Sequence, residues 1–233
     1  NYKSNDQRRI AYDEIFSNLL VLLKTRKVIK IKRKTNRLFN FDNENKVLQN
    51  FGHPLTNGQR KILSDIKNDL KSNFRMFRLV QGDVGSGKTI ISLLISANVI
   101  NSNLQVAYMA PTEILTNQQF EQAKNLFKGT GIVVSKLTGK TKNKRQVYEN
   151  LLNGKTNFLI GTHSLFQKKV KFKNLGLIII DEQHKFGVNQ RKSLSDKGGV
   201  DCDVLLMTAT PIPRTLTMTI YGDMDISIIR EKP

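Results

Sequence analysis

One eight-residue segment constrains the fold of this chain more than any other feature. It reads GDVGSGKT and matches the pattern G-x-x-x-x-G-K-S/T. Glycines at this spacing let backbone N–H groups wrap around phosphate oxygens, and a helix that follows contributes the positive end of its dipole. A glycine-rich turn that fits the pattern by chance is the alternative. The motif comprises Gly82, Asp83, Val84, Gly85, Ser86, Gly87, Lys88 and Thr89.

The sequence around this motif alternates between short apolar runs and amphipathic stretches. Residues 76–80 are apolar and end at the glycines, while residues 89–100 have the pattern of a helix. Further helices are predicted around 117–127, around 144–152 and after Thr56, which can cap a helix. This alternation predicts an α/β fold, with a mostly parallel sheet covered by helices on both faces. The other predicted buried strands are 106–109, 132–137, 158–160, 177–180 and 204–207.

The first part of the chain has a different character. Residues 9–27 carry apolar side chains at helical spacing and predict an amphipathic helix. Of the fourteen residues 24–37, eight are basic and none is acidic, and residues 34–50 are rich in Asn and Asp, which predicts a linker. Because the chain starts without Met or the apolar block of a signal peptide, we expect an internal segment. We therefore predict an extension, 1–50, followed by a main domain, 51–233.

The run LIIIDE at 177–182 supplies the acidic group that a phosphate-binding loop requires. The aliphatic residues place Asp181 at the carboxyl edge of a buried strand, where ligands bind in open α/β sheets. There Asp181 would hold Mg²⁺ together with the hydroxyl of Thr89, and Lys88 would reach the β- and γ-phosphates. Glu182 is placed to act as the general base for an attacking water. The predicted reaction is hydrolysis of a nucleoside triphosphate.

The amino-acid composition favours one class of binding partner but does not establish it. The 233 residues include 38 Lys and Arg against 19 Asp and Glu, a net charge of +19, and such an excess favours a polyanionic partner. The abundance of Lys, Asn and Ile, whose codons are rich in A and T, is the alternative explanation of the charge. A single cysteine, Cys202, excludes an internal disulfide. No apolar run is long enough to predict a membrane-spanning helix.

Beyond the phosphate loop, five segments resemble the motifs of superfamily 2 helicases and follow in the order of that family. Residues 181–184 read DEQH and resemble its Asp-Glu-x-His box. Residues 208–215 read TATPIPRT and resemble its third motif, in the extended form of RecG-type helicases. Residues 110–115 resemble motif Ia, and residues 161–165 resemble the segment that contacts DNA after the fourth strand. Residues 55–59 are similar to the adenine-recognition motif.

Two positions are typical of RecG-type helicases within this superfamily. Ser86 stands where the related transcription-repair coupling translocases usually have Phe, and Gln183 stands where they have Glu. Residues 186–191 and 9–14 also resemble RecG-type sequences, and the resemblance of the main domain covers about 55–233. A coupling translocase is the alternative within the superfamily. A non-catalytic nucleic-acid-binding module on a P-loop scaffold is the alternative from another class.

The resemblance implies the first RecA-like motor domain of an ATP-dependent DNA helicase, with ATP and Mg²⁺ as cofactors. Gln59 would recognise adenine, and Thr89 and Asp181 would hold the metal. His184 would join the nucleotide site to the third motif, with a structural histidine as the alternative. Thr208 and Thr210 could instead cap a strand end, and Arg214 could form a structural ion pair. The residues implied to couple nucleotide state to DNA are Pro111, Thr112, Glu113, Gly161, Thr162, His163, Thr208, Thr210 and Arg214.

The same resemblance implies the partners. The substrate would be branched DNA, such as Holliday junctions and stalled forks. A wedge domain and a second RecA-like domain would act in cis. The protein would be a monomer of the bacterial cytoplasm that does not contact membranes. The second domain would supply the arginine that completes the site, so we expect the segment alone to bind nucleotide weakly and to hydrolyse it very slowly. Three basic clusters, 24–37, 136–145 and 168–173, contact DNA or are solvated lysine-rich faces.

Overall fold

The computed structural model describes residues 42–182, 201–210 and 224–231, with the single residues Arg9, Tyr12, Asp13, Phe16 and Gly199. The chain divides into two compact units, one formed by Asn1–Ile31 with Ile212–Met224 and the other by Lys32–Pro211 with Asp225–Pro233. In the first unit, the rings of Tyr12 and Phe16 stack with centroids 6.0 Å apart. The rest of the predicted helix at 9–27 and the basic cluster 24–37 lie outside the described residues.

The second unit alternates helices and strands as predicted. Its helices are α1 (Asp42–Phe51), α2 (Asn57–Lys71), α3 (Lys88–Ile100), α4 (Glu113–Leu126) and α5 (Lys144–Leu152), with a short 3₁₀-helix at His163–Phe166. Its strands are β1 (Phe77–Gly82), β2 (Gln105–Met109), β3 (Val134–Leu137), β4 (Phe158–Gly161), β5 (Leu175–Ile180), β6 (Asp203–Thr208) and β7 (Asp225–Ile229).

The strands form one seven-stranded sheet in the order β3-β4-β2-β5-β6-β1-β7, and all of its pairings are parallel. The predicted α/β fold with a mostly parallel sheet is therefore confirmed. Because the strands share one direction, the segments that follow β1, β2, β4, β5 and β6 all begin at the same edge of the sheet. That edge is where the sequence motifs lie.

The core is built around α3. Every residue from Ile90 to Ile100 is buried, because the sheet covers one side of this helix and α1 and α2 pack against it as well. The apolar face of α2 joins the same core through Ile62, Leu63, Ile66 and Leu70. Strand residues that point to the opposite face are also buried, including Leu79, Ala107, Leu159, Ile178 and Leu206. Burial on both faces gives the strands their continuous apolar character.

Two elements differ from the sequence-based expectation. Residues 34–50 are predicted to be a linker, but Asp42–Phe51 forms α1, with Val47 fully buried and the Glu44 carboxylate 2.6 Å from the Lys67 ammonium. The helix is polar except for one narrow face, so its composition resembles that of a linker. Strand β7 was not predicted either; it is short and lies at the sheet edge beside β1. No helix among the described residues has the length and apolarity to cross a membrane.

Candidate nucleotide-binding site

The phosphate loop has the context that its motif requires. Strand β1 ends at Gly82 and α3 begins at Lys88, so the loop joins a buried strand to a helix N-terminus. Gly85 and Gly87 have φ values of +81° and +90°, which favour glycine. A Cβ atom at Gly82 would lie 2.6 Å from the Ser86 hydroxyl oxygen. A glycine-rich turn without function explains this context less well than a phosphate-binding loop.

Lys88 lies folded into the loop. Its ammonium donates to the carbonyl oxygens of Gly82, at 2.6 Å, and Asp83, at 2.9 Å. Burial lowers the pKa of this amine, and the carboxylates of Glu182, Asp181 and Asp83 act in the opposite direction. The charge is therefore held among backbone oxygens and close to both carboxylates of the acidic box, where a ligand that binds in the loop would meet it.

Gln59 links α2 to the loop. Thr56 caps the helix by accepting from the Gln59 backbone N–H at 3.2 Å, and the Gln59 side chain accepts from the Thr56 backbone N–H at 2.9 Å. The same side chain donates to the Ser86 carbonyl at 2.9 Å, and Gln59 is 1% exposed. A capping box thus holds this amide against the phosphate loop. Gln59 is the residue that the adenine-recognition motif predicts to bind the base.

Asp181 follows β5, as predicted, and its backbone N–H donates to the Met109 carbonyl of β2 at 2.9 Å. The Tyr108 hydroxyl donates to its Oδ2 at 3.2 Å. Burial raises the pKa of the Asp181 carboxyl, and the nearby Glu182 adds to the effect. Burial also raises the pKa of Tyr108 well above its ordinary value, so the phenol is a donor at neutral pH. Asp181 therefore follows one strand, β5, and is hydrogen-bonded to residues of the neighbouring strand, β2.

Glu182 connects the acidic box to the third motif. It has a φ of +50°, which is uncommon for a residue with a side chain, and its carboxylate accepts from the Ala209 backbone N–H at 3.5 Å. In the third motif, the Thr208 hydroxyl lies 2.8 Å from the Thr210 hydroxyl and accepts from the Thr210 backbone N–H at 3.2 Å. His184, predicted to make this connection, and Arg214 lie outside the described residues.

The two segments predicted to face DNA follow β2 and β4, at the same edge of the sheet as the phosphate loop. The Ala110 backbone N–H donates to the Gly161 carbonyl at 2.9 Å, which joins the end of β2 to the end of β4. Thr112 caps α4 by accepting from the Leu115 backbone N–H at 3.2 Å. His163 is exposed. The two predicted DNA-facing segments are thus adjacent, with Pro111 in the first and Thr162 in the second.

Glu113 has a partner that the sequence did not indicate. Its carboxylate lies 3.2 Å from the Lys140 ammonium, and this hydrogen bond lowers the pKa of the glutamate. The pair ties motif Ia to the loop after β3. Lys140 belongs to the basic cluster 136–145, so part of that cluster's charge is already compensated.

Tyr108 and Gln119 contact residues of this site, and the sequence motifs predicted neither of them. Both are buried, and the Gln119 amide donates to the Thr89 hydroxyl at 3.4 Å. Tyr108 carries the only phenol in an otherwise apolar run, and a buried tyrosine usually has a hydrogen-bond partner. That rule could have marked Tyr108, but it could not have named its partner.

The donor set suits magnesium. The Thr89 hydroxyl and the Asp181 carboxylate are oxygen donors, and the described residues hold no group of three or more His, Cys, Asp or Glu side chains arranged to bind a metal. Mg²⁺ is commonly held by one or two protein ligands together with substrate phosphates and water. The Ser86 hydroxyl, buried and without a hydrogen-bond partner among the described residues, adds a polar group that a ligand in the loop could engage.

Comparison with known proteins gives the class first. The family model for DEAD/DEAH box helicases matches residues 56–219. The chain therefore belongs to the DEAD/DEAH box helicase family. Its fold agrees with this, because a DEAD box protein from the hyperthermophile Methanococcus jannaschii matches with a TM-score of 0.64 at 21% identity, over 83% of this chain and 57% of that one.

Within the family the chain resembles RecG. It is 47% identical to the ATP-dependent DNA helicase RecG of Aquifex aeolicus (strain VF5) over 97% of this chain and 29% of that protein. The structure of RecG bound to a three-way DNA junction matches with a TM-score of 0.82 at 37% identity, over 97% of this chain and 30% of that chain. The predicted resemblance to RecG-type helicases is confirmed. It spans 29% to 34% of the length of the curated relatives it matches.

Proposed function

We propose that this chain is the first RecA-like motor domain of an ATP-dependent DNA helicase of the RecG type. The observation that supports it most is the arrangement at the carboxyl edge of the sheet. The phosphate loop after β1, the acidic box after β5 and the third motif after β6 come from adjacent strands, and Glu182 contacts the backbone of Ala209. In the proposed division of the chain, 1–50 is the extension and 51–233 is the motor domain, with α1 at the end of the extension packed on the motor domain.

The site would bind ATP with Mg²⁺. The loop amides and Lys88 would hold the phosphates, Gln59 would recognise adenine, and Thr89 and Asp181 would hold the metal. When bound, Mg²⁺ would neutralise part of the negative charge on the phosphates. The capping box supports the assignment of Gln59, since it fixes the amide 2.9 Å from the Ser86 carbonyl.

Glu182 would accept a proton from the attacking water. Because its carboxylate also contacts the Ala209 amide, a change at the nucleotide would reach the third motif directly. His184 and Arg214 would add to this coupling, as the resemblance implies. On the other side of the site, the Gln119 contact with Thr89 joins α4, and hence motif Ia, to the phosphate loop.

The substrate would be branched DNA, by analogy with the relative solved on a three-way DNA junction. In the full-length protein, a wedge domain and a second RecA-like domain would act in cis, and an arginine from the second domain would complete the site. The function would be branch migration of Holliday junctions and regression of stalled forks by a monomer in the bacterial cytoplasm.

The test is the ATPase activity of the full-length gene product, with and without a synthetic four-way junction. Junction-stimulated turnover is expected, and Glu182→Gln should lower it by about 10²- to 10⁴-fold with nucleotide binding retained. Lys88→Ala should weaken nucleotide binding as well as turnover. Stimulation by plain duplex but not by junctions would favour a coupling translocase. Binding of DNA without any turnover would favour a non-catalytic module.

A further inference from the structure

Tyr108 is a buried phenol that none of the sequence motifs explains. It lies on β2 with a fully buried side chain, and its ring packs against Phe158 with centroids 6.0 Å apart. Ring packing alone would be satisfied by phenylalanine. The hydroxyl, however, reaches out of the apolar core and donates to Asp181 Oδ2 at 3.2 Å.

The partner of this hydroxyl, Asp181, follows β5. The proposed function assigns Asp181 to Mg²⁺ together with Thr89. The buried hydroxyl contacts the Asp181 carboxylate from the core side. Groups of this kind, which hold a metal's ligands without contacting the metal, commonly change metal affinity by about 10- to 100-fold when removed.

The geometry of the site gives this contact a purpose. Asp181 is 9% exposed, and its backbone N–H donates to the Met109 carbonyl at 2.9 Å, so its backbone is held on β2. The Tyr108 hydroxyl, from the same strand, holds one oxygen of its carboxylate.

We propose that Tyr108 is a positioning residue of the metal site, whose hydroxyl orients the Asp181 carboxylate toward Mg²⁺. The proposal rests on the proposed function, because it requires a magnesium–nucleotide complex at this loop.

Tyr108→Phe tests this, because it keeps the ring and removes only the hydroxyl. In the full-length protein, the Kd of a fluorescent ADP analogue is measured in EDTA and over a series of Mg²⁺ concentrations. The Mg²⁺ concentration that gives half-maximal enhancement of binding should rise about tenfold, while the Kd in EDTA stays unchanged. Tyr148→Phe is the matched control. It removes a hydroxyl that contacts Gln167 instead of Asp181, so it should leave the Mg²⁺ requirement unchanged.

An unchanged Mg²⁺ requirement in Tyr108→Phe would overturn the proposal. An equal loss of binding with and without Mg²⁺, accompanied by a lower Tm, would also overturn it, since that is the behaviour of a core residue. If Tyr108→Phe does not fold, Tyr108→Met, which also lacks the hydroxyl, provides the test, and a requirement identical to wild type would count against the proposal. Absence of Lys88-dependent nucleotide binding in the wild-type protein would instead refute the proposed function itself.

Discussion

At the scale of single residues, Gly87 combines a special backbone conformation with a close contact. Its φ is +90°, and a Cβ atom there would overlap the Gln59 amide nitrogen. Gly87→Ala should therefore strain the backbone and displace Gln59 from the Ser86 carbonyl, lowering the free energy of unfolding by about 3 kcal/mol. Gly129 is the control, with a φ of +75° and open space around it, and Gly129→Ala should cost about 1 kcal/mol. Equal losses in urea denaturation would show that the Gln59 contact contributes nothing.

Asp181, the proposed metal ligand, is predicted to lower the stability of the fold at neutral pH. Its carboxyl has a pKa raised by burial, so the folded state holds the proton more tightly than the unfolded state does. The free energy of unfolding therefore falls as pH rises from the ordinary carboxyl pKa through the raised one, and it stays lower above that window. Asp181→Asn removes this cost and keeps an acceptor for Tyr108. Without metal, the variant should have a higher Tm than wild type at neutral pH, and the difference should vanish in acid.

Thermal unfolding in EDTA across this pH range is the measurement. The gain should be paired with a loss of the Mg²⁺-dependent enhancement of nucleotide binding, because the amide is a weaker ligand. An Asp181→Asn variant that is less stable than wild type at neutral pH would contradict the account, since the buried carboxylate would then be net stabilising.

At the scale of elements, substitutions at the two ends of α2 distinguish an effect on stability from an effect on nucleotide binding. Thr56→Ala removes the N-cap acceptor and should cost about 1 kcal/mol of unfolding free energy. Because the same cap orients Gln59, the Kd for nucleotide should rise about fivefold, which corresponds to about 1 kcal/mol. Ser72→Ala at the other end removes a hydroxyl that donates to the Asp69 carbonyl at 2.8 Å, and it should cost about as much stability. A similar change of Kd in both variants would show that Gln59 does not depend on its cap.

The elements also show what the sequence can predict. Helix α5 spans Lys144–Leu152, the predicted range, and α3 begins one residue before its prediction, because the phosphate-loop motif marks where that helix starts. Helix α1 was missed because its stability comes from tertiary contacts, such as the Glu44 pair with Lys67, in a polar sequence. Strand β7 has five residues and, within the part of the chain that the structure describes, pairs with β1 alone, which leaves little pattern to detect.

The residues of the candidate site differ in the same way. Lys88, Thr89 and Asp181 belong to motifs whose residue types and spacing are dictated by phosphate and metal chemistry, so the sequence predicts them as site residues. The contacts of Tyr108 and Gln119 join strands and helices that are distant in the chain, and no local pattern encodes them. The Glu182–Ala209 contact is of the same kind, because it depends on the order of strands in the sheet.

At the scale of the whole molecule, two of the basic clusters that contribute to the net charge of +19 differ in their contacts. In the cluster 136–145, most basic side chains already have hydrogen-bond or ion-pair partners. Lys136 donates to Asn117 at 2.6 Å, Lys140 pairs with Glu113 at 3.2 Å, and Lys144 donates to the Gly139 carbonyl at 2.7 Å. In the cluster 168–173, the four lysines are exposed, and none has a hydrogen-bond or ion-pair partner among the described residues. The residues in that cluster are Lys168, Lys169, Lys171 and Lys173.

This contrast predicts that the cluster 168–173 contributes more to DNA binding than the cluster 136–145. It directly follows the segment 161–165, and its uncompensated charges can release counterions from phosphates. A triple variant with Gln at Lys168, Lys169 and Lys171 should reduce the slope of log Kd against log salt on a four-way junction by about 1 for each lysine that contacts a phosphate.

The matched control replaces three partnered lysines, Lys136, Lys140 and Lys144, with Gln. Both variants lose the same charge, so a purely long-range effect of net charge would change the two slopes equally. A larger change for the cluster 168–173 would show local contact with the DNA backbone. Equal slopes would mean that the basicity of this chain acts only as a diffuse field, and both clusters would then be solvated faces.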